Sequence, residues 1–262
     1  MQNNQAPIFT PGFTAEKNPP GPWGFWRTVG FGLLIAIAYV AAQALVEVIY
    51  AIKVVISNPG ISSSQLMNNL LNGNVLAAAI LASAIIGTSF TILFVKIRKG
   101  ISLKEYLAFR PVKMTTILIV FGIIVVLLII AGLATSGLSQ SKFTDQMVQA
   151  YQNSTVPALF WIAVVVFAPV FEEIFFRGFL FAGFLNSRVG ATGAILLTAV
   201  LWALLHATQY GIWELLVILG LGVAFGIVRW RTKPLYASLG MHSLWNLISM
   251  VQAALLIKGQ GH

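Results

Sequence analysis

The sequence predicts an all-α fold: a polytopic membrane bundle of about seven transmembrane helices, with the N-terminus in the cytosol. Three observations predict it. Hydrophobic residues make up 58% of the chain and charged residues only 9%, whereas soluble domains carry about 25% charged residues. Apolar stretches near the roughly 20 residues needed to cross hydrocarbon recur at 28–52, 75–95, 114–134, 156–183, 191–208, 212–229 and 235–257. The formal charge of +9 is distributed unevenly, with basic residues concentrated in alternate loops beside these stretches.

Residues 1–26 are polar and contain Pro7, Pro11, Pro19, Pro20 and Pro22. They lack the apolar core and small-residue cleavage site of a signal peptide. They read as a flexible cytosolic arm preceding a single transmembrane domain, 27–262. The first span contains Glu47, with Lys53 close enough to pair with it. The loop after the second span carries Lys96, Arg98, Lys99, Lys104, Arg110 and Lys113 against one acid, Glu105. Its segment 101–113 suits either an amphipathic stretch lying on the inner surface or a plain tether. The third span is apolar without a break from Ile117 to Leu133. The fourth is long and contains Pro169, which removes a backbone hydrogen bond and kinks the helix there. Arg188 follows the fourth span, and Arg229, Arg231 and Lys233 follow the sixth. The intervening loops offer little beyond Lys53 and Lys142. The basic loops therefore share one face, which places the N-terminus inside and the C-terminus outside. That charge belongs beside a lipid bilayer and argues against nucleic acid as a partner. Ala77-Ala78-Ala79 and Gly220-Leu221-Gly222…Gly226 read as faces for close helix packing. With no cysteine in the chain, disulfides, Fe–S clusters and thiolate chemistry are excluded.

The informative residues are polar ones inside apolar spans. Glu172 and Glu173 stand side by side in Phe171-Glu172-Glu173-Ile174-Phe175-Phe176-Arg177. A carboxylate at a helix centre in hydrocarbon costs about 2.5 kcal/mol or more, and such residues mark functional sites. Glu173 and Arg177 are spaced i,i+4 with the acid first, the favourable order for a helical ion pair. The same spacing would serve a buried pair that only fixes packing. Glu172 points about 100° away and has no local partner, so it is the candidate general base. Trp202 and His206 share a face of span five, and the indole can fix the imidazole plane. His242 and Asn246 repeat that spacing on span seven and present two hydrogen-bonding groups together. Glu173 and His206 are each about 24 Å from the tip joining spans four and five, while His242 is about 10 Å from the inner interface. These depths agree if that hairpin projects beyond the membrane, with the cavity opening toward the cytosolic side. Glu214 reads as a solvated helix-start acid. No His-Glu-x-x-His, Gly-x-Ser-x-Gly or phosphate-cradling glycine loop is present, and Asp145, the sole Asp, falls in a loop.

Glu172-Glu173-x-x-x-Arg177, Trp202-x-x-x-His206 and His242-x-x-x-Asn246, in that order on separate spans, resemble the motifs of the CAAX protease and bacteriocin-processing family. These Abi-like proteins are intramembrane glutamic endopeptidases, and the type II prenyl-protein endopeptidases are among them. The resemblance covers roughly residues 155–250, and the first three spans match only as generic membrane helices. It departs at Trp202, where the family usually has Phe. It implies that Glu172 and His206 activate the attacking water, that His242 and Asn246 stabilise the oxyanion, and that Glu173 and Arg177 hold Glu172 in position. It implies peptide hydrolysis without a cofactor, acting on a membrane-associated protein or peptide, lipidated or not, in a prokaryotic plasma membrane. Two histidines and a glutamate could instead ligate zinc. A non-catalytic scaffold or bacteriocin-immunity protein, and a proton-coupled transporter, are the alternatives from other classes.

Overall fold

A computed structural model describes residues 20–135 and 142–259, and among these it is helical without a strand. Helix α1 spans Phe25–Ser57, α2 Ser63–Leu70, α3 Gly73–Ile97, α4 Leu103–Tyr106, α5 Met114–Thr135 and α6 Lys142–Gln152. A long helix α7 covers Pro157–Leu185. It is followed by α8 Gly190–Leu205, α9 Ile212–Thr232 and α10 Leu235–Gly259. Residues 1–19 of the expected N-terminal arm lie outside the described residues.

Among the described residues, five helices are long and apolar enough to cross a membrane: α1, α3, α5, α7 and α9. The two other predicted spans, α8 and α10, are not among these five. Helix α8 has only 16 residues. Helix α10 has 25 residues and carries Ser238, His242, Ser243, Asn246 and Ser249 along its length. The membrane-facing surface is apolar: Leu33, Ile37 and Val40 on α1 and Leu118, Ile119 and Ile129 on α5 are all exposed, as lipid contact requires.

Several bonds gather one set of helix ends. Arg98 Nε donates to Gly21 O (3.0 Å), Trp23 Nε1 to Phe94 O (2.9 Å) and Asn186 Nδ2 to Pro22 O (3.1 Å). Leu235 N donates to Ala108 O (3.0 Å). The start of α1, the end of α3, the α7–α8 tip and the start of α10 are thereby brought to the same end of the bundle. Arg27, Lys96, Arg98, Lys99, Arg188, Arg231 and Lys233 belong to these ends. Segment 101–113 contains the short helix α4 and is buried in part against the bundle. Ser102 and Glu105 cap α4 reciprocally, and these bonds hold the Glu105 carboxyl below the usual carboxylate range. Tyr106 and Leu107 are buried, with Leu107 against Gly178 of α7. Removing the ring and the leucine from water favours this packing.

Helix α7 departs from a simple proline kink. Its backbone widens to π-helical bonding over Ala163–Phe167 and again over Glu173–Leu180, with an α turn, Ala168–Glu172, between them. Pro169, which has no N–H to donate, sits just after the first change of bonding pattern. Wide turns are rare and concentrate at functional sites. A side chain from another helix reaches one carbonyl in each: Asn246 Nδ2 donates to Val164 O (2.9 Å) and Arg229 Nε to Arg177 O (3.0 Å). Close approaches complete the packing. A Cβ on Gly87 of α3 would lie 2.3 Å from the Phe171 ring, and one on Gly222 of α9 would lie 3.1 Å from Ala199 and Trp202 of α8. Of the predicted small-residue faces, Ala77, Ala79, Gly222 and Gly226 are buried, while Ala78 and Gly220 face outward.

Candidate active site

Successive residues on α7 turn in different directions, so the adjacent acids enter different surroundings. Glu173 is fully buried, with Arg177 Nη1 at 3.1 Å and His242 Nδ1 at 3.1 Å from its Oε1. Arg177 is buried as well and donates from Nη2 to Gly222 O at 3.2 Å. Its guanidinium lies over Trp202 (4.8 Å to the ring centroid) and Phe225 (5.3 Å), where the ring faces favour a cation. The predicted i,i+4 ion pair is therefore present, and it continues through His242.

Glu172 has the partner that sequence reading missed. The indole Nε1–H of Trp202 donates to its Oε2, and His242 Nε2 lies 3.8 Å from the same oxygen. His242 thus stands between the two acids, with one ring nitrogen toward each. A carboxylate oxygen can only accept, so the contact with Glu173 places a proton on Nδ1. The ring is clamped by Trp202 (centroids 5.2 Å apart, 80°) and Phe225 (5.1 Å, 32°). This clamp restricts its rotation.

His206 caps the C-terminal end of α8 and is half-buried. Its Nδ1 is 2.9 Å from Trp202 O. A carbonyl also only accepts, so the neutral ring carries its proton on Nδ1 and leaves the Nε2 lone pair free. The ring meets Trp202 edge-on (5.1 Å, 70°) and lies 5.8 Å from that of Tyr210. Trp202 therefore touches Glu172 through its indole and His206 through its backbone. Asn246 lies one turn beyond His242 on α10, and its Nδ2 is engaged with Val164 O.

Of the predicted residues, the structure brings Glu172, Glu173, Arg177, Trp202 and His242 into one contiguous buried group, with His206 and Asn246 at its margins. Sequence reasoning missed the Phe225 wall, the Gly222 carbonyl and Arg229. The signals were present but weak: a glycine in a packing run frees a carbonyl by close approach, and an arginine in an apolar turn needs an acceptor. Glu214 lies in the first turn of α9, as expected for a helix-start acid, and Glu47 Oε1 accepts from Gln43 at 3.4 Å. Among the described residues no group of three or more acidic or imidazole side chains converges to hold a metal ion.

The site lies near the basic end of the bundle. The Arg229–Arg177 bond places Arg177 about 5 Å from the end of α9, and His242 is seven residues, or about 10 Å, into α10. The α7–α8 tip lies at the same end, where Asn186 Nδ2 donates to Pro22 O.

Neither a curated protein nor a solved structure matches the chain. Residues 154–248 match the family model for type II CAAX prenyl endopeptidases, described as Rce1-like. The matched segment runs from just before α7 to beyond Asn246 and contains all three motifs. Residues 154–248, about a third of the chain, are thus similar to the Rce1-like domain of the CAAX protease family.

Proposed function

We propose that the chain is an intramembrane, metal-independent endopeptidase that hydrolyses peptide bonds in membrane-associated proteins or peptides. The observation that carries this reading is the division of labour between the paired acids. Arg177 neutralises Glu173, whereas Glu172 meets only an indole N–H and an imidazole nitrogen. Glu172 is therefore available as a base, while Glu173 sets the ring of His242.

In this scheme a water lies between Glu172 and the Nε2 lone pair of His206. As its oxygen attacks the peptide carbonyl carbon, its proton passes to that pair. Oxygen–carbon bond formation makes a tetrahedral oxyanion. His242, in its doubly protonated form, offers Nε2–H to that oxygen, and Asn246 offers the N–H not used by Val164. Each donor aimed at such charge is worth about 3–4 kcal/mol. Collapse returns the proton to the leaving nitrogen and breaks the C–N bond, so no cofactor is consumed. With the basic end in the cytosol, the scissile bond lies near the inner leaflet.

The test is cleavage of a panel of lipidated and unlipidated peptides by the protein in liposomes, with products mapped by mass spectrometry. Glu172→Ala and, separately, His206→Ala should abolish cleavage while insertion is unchanged, and chelators should leave the wild-type rate intact. Retained cleavage in either variant rejects these roles. Loss of activity to a chelator rejects the metal-independent mechanism.

A further inference from the structure

We propose that Trp202 is a positioning residue that couples the two water-activating groups, orienting the Glu172 carboxylate through its indole N–H and the His206 ring through its carbonyl. The inference rests on the hydrolytic reading above and assigns the indole a polar task beyond packing.

Three observations converge on it. The indole is buried at 4% exposure, so an unpaired N–H there would be costly, and Glu172 Oε2 satisfies it. One carboxylate oxygen is thereby occupied, and the other remains to take a proton from water. The backbone carbonyl of the same residue holds His206 Nδ1 at 2.9 Å, leaving the opposite ring nitrogen unprotonated. The indole is itself immobilised: Phe225 (5.5 Å between centroids), His242 (5.2 Å) and the Arg177 guanidinium (4.8 Å) surround it. A rigid donor anchored on three sides fixes the carboxylate more tightly than a flexible side chain could. Phenylalanine would keep the aromatic packing but has no N–H.

The experiment uses the full chain in liposomes and two substitutions at this position. Trp202→Phe removes the donor and part of the ring. Replacement of Trp202 with 3-benzothienylalanine puts sulfur in place of N–H and keeps the bicyclic shape. Both should lower kcat about 100-fold, as expected when a catalytic group is misplaced, with KM within twofold of wild type. Trp213→Phe, at an indole 60% exposed on α9, should be unaffected. In parallel, the indole N–H resonance of Trp202, assigned by its absence in Trp202→Phe, should shift in Glu172→Ala. A benzothienyl variant with wild-type kcat, or an indole resonance indifferent to Glu172→Ala, overturns the proposal. The resonance reads the hydrogen bond in resting protein. If wild type cleaves no peptide while the shift is present, the failure belongs to the hydrolytic reading and not to the Glu172–indole contact.

Discussion

At the scale of residues, the group is governed by what each buried charge can find. Glu173 and Arg177 are both fully buried, and Arg177 Nη1 approaches the carboxylate without an aligned hydrogen bond. The contact therefore relies on opposite charge. Removing one member leaves the other uncompensated, a loss of about 3–5 kcal/mol. Arg177→Met should lower thermal stability in detergent by that order, and Glu173→Gln combined with Arg177→Met should recover most of it. Activity should not return with stability, because His242 would lose the carboxylate that sets its Nδ1. A double variant as unstable as the single one would show that the arginine acts through packing. The adjacent Glu172 follows another rule. Its indole partner is neutral, and Arg177 contacts Glu173 rather than Glu172.

At the scale of elements, α7 presents its chemistry from wide turns and depends on neighbours to support them. Arg229 is buried and spends Nε on Arg177 O and Nη1 on Lys233 O, at 3.0 and 2.5 Å. It ties the π-helical turn to the end of α9. On the other side of that turn, Gly222 gives α9 its close approach to α8 and supplies the carbonyl that receives Arg177. A side chain at 222 must push on Ala199 and on Trp202 itself. Gly222→Val should cost about 1–3 kcal/mol through overpacking and should lower cleavage by more than that loss of folded protein accounts for. Thermal unfolding and the rate per folded molecule check the two parts. Gly220→Val, one residue type on the same helix with nothing near its Cβ position, is the matched control.

At the scale of the molecule, the helix ends that carry most of the basic residues meet at one end of the bundle, and His242 lies about 10 Å beneath it. The positive-inside rule predicts that this end faces the cytosol. The cysteine-free sequence makes the orientation directly measurable. On intact cells a membrane-impermeant maleimide should label Ser64→Cys, between α1 and α3, and should reach Lys99→Cys only after permeabilisation. Both positions are exposed. The reversed pattern would place the site near the opposite leaflet and exclude cytosolic-side cleavage.

The membrane class and five of the seven expected spans were legible in the chain as long apolar helices, and the polar residues that the structure gathers stood out because a charge in hydrocarbon is expensive and leaves a mark in any sequence that bears it. The Glu173–Arg177 pair was legible for a local reason: four residues of helix bring the two groups together whatever surrounds them. The partner of Glu172 was not legible, since Trp202 stands 30 positions away and an indole at that place reads equally well as apolar filling. The π-helical turns of α7, the burial of Tyr106 and Leu107, and the use of Asn246 and Arg229 on the carbonyls of another helix depend on contacts between distant segments. Residue types alone announced that this protein carries charged and hydrogen-bonding groups inside apolar spans. Only packing between helices decided that, beside the acid that meets an arginine, the other meets an indole N–H, because that choice depends on distances that no spacing along the chain encodes.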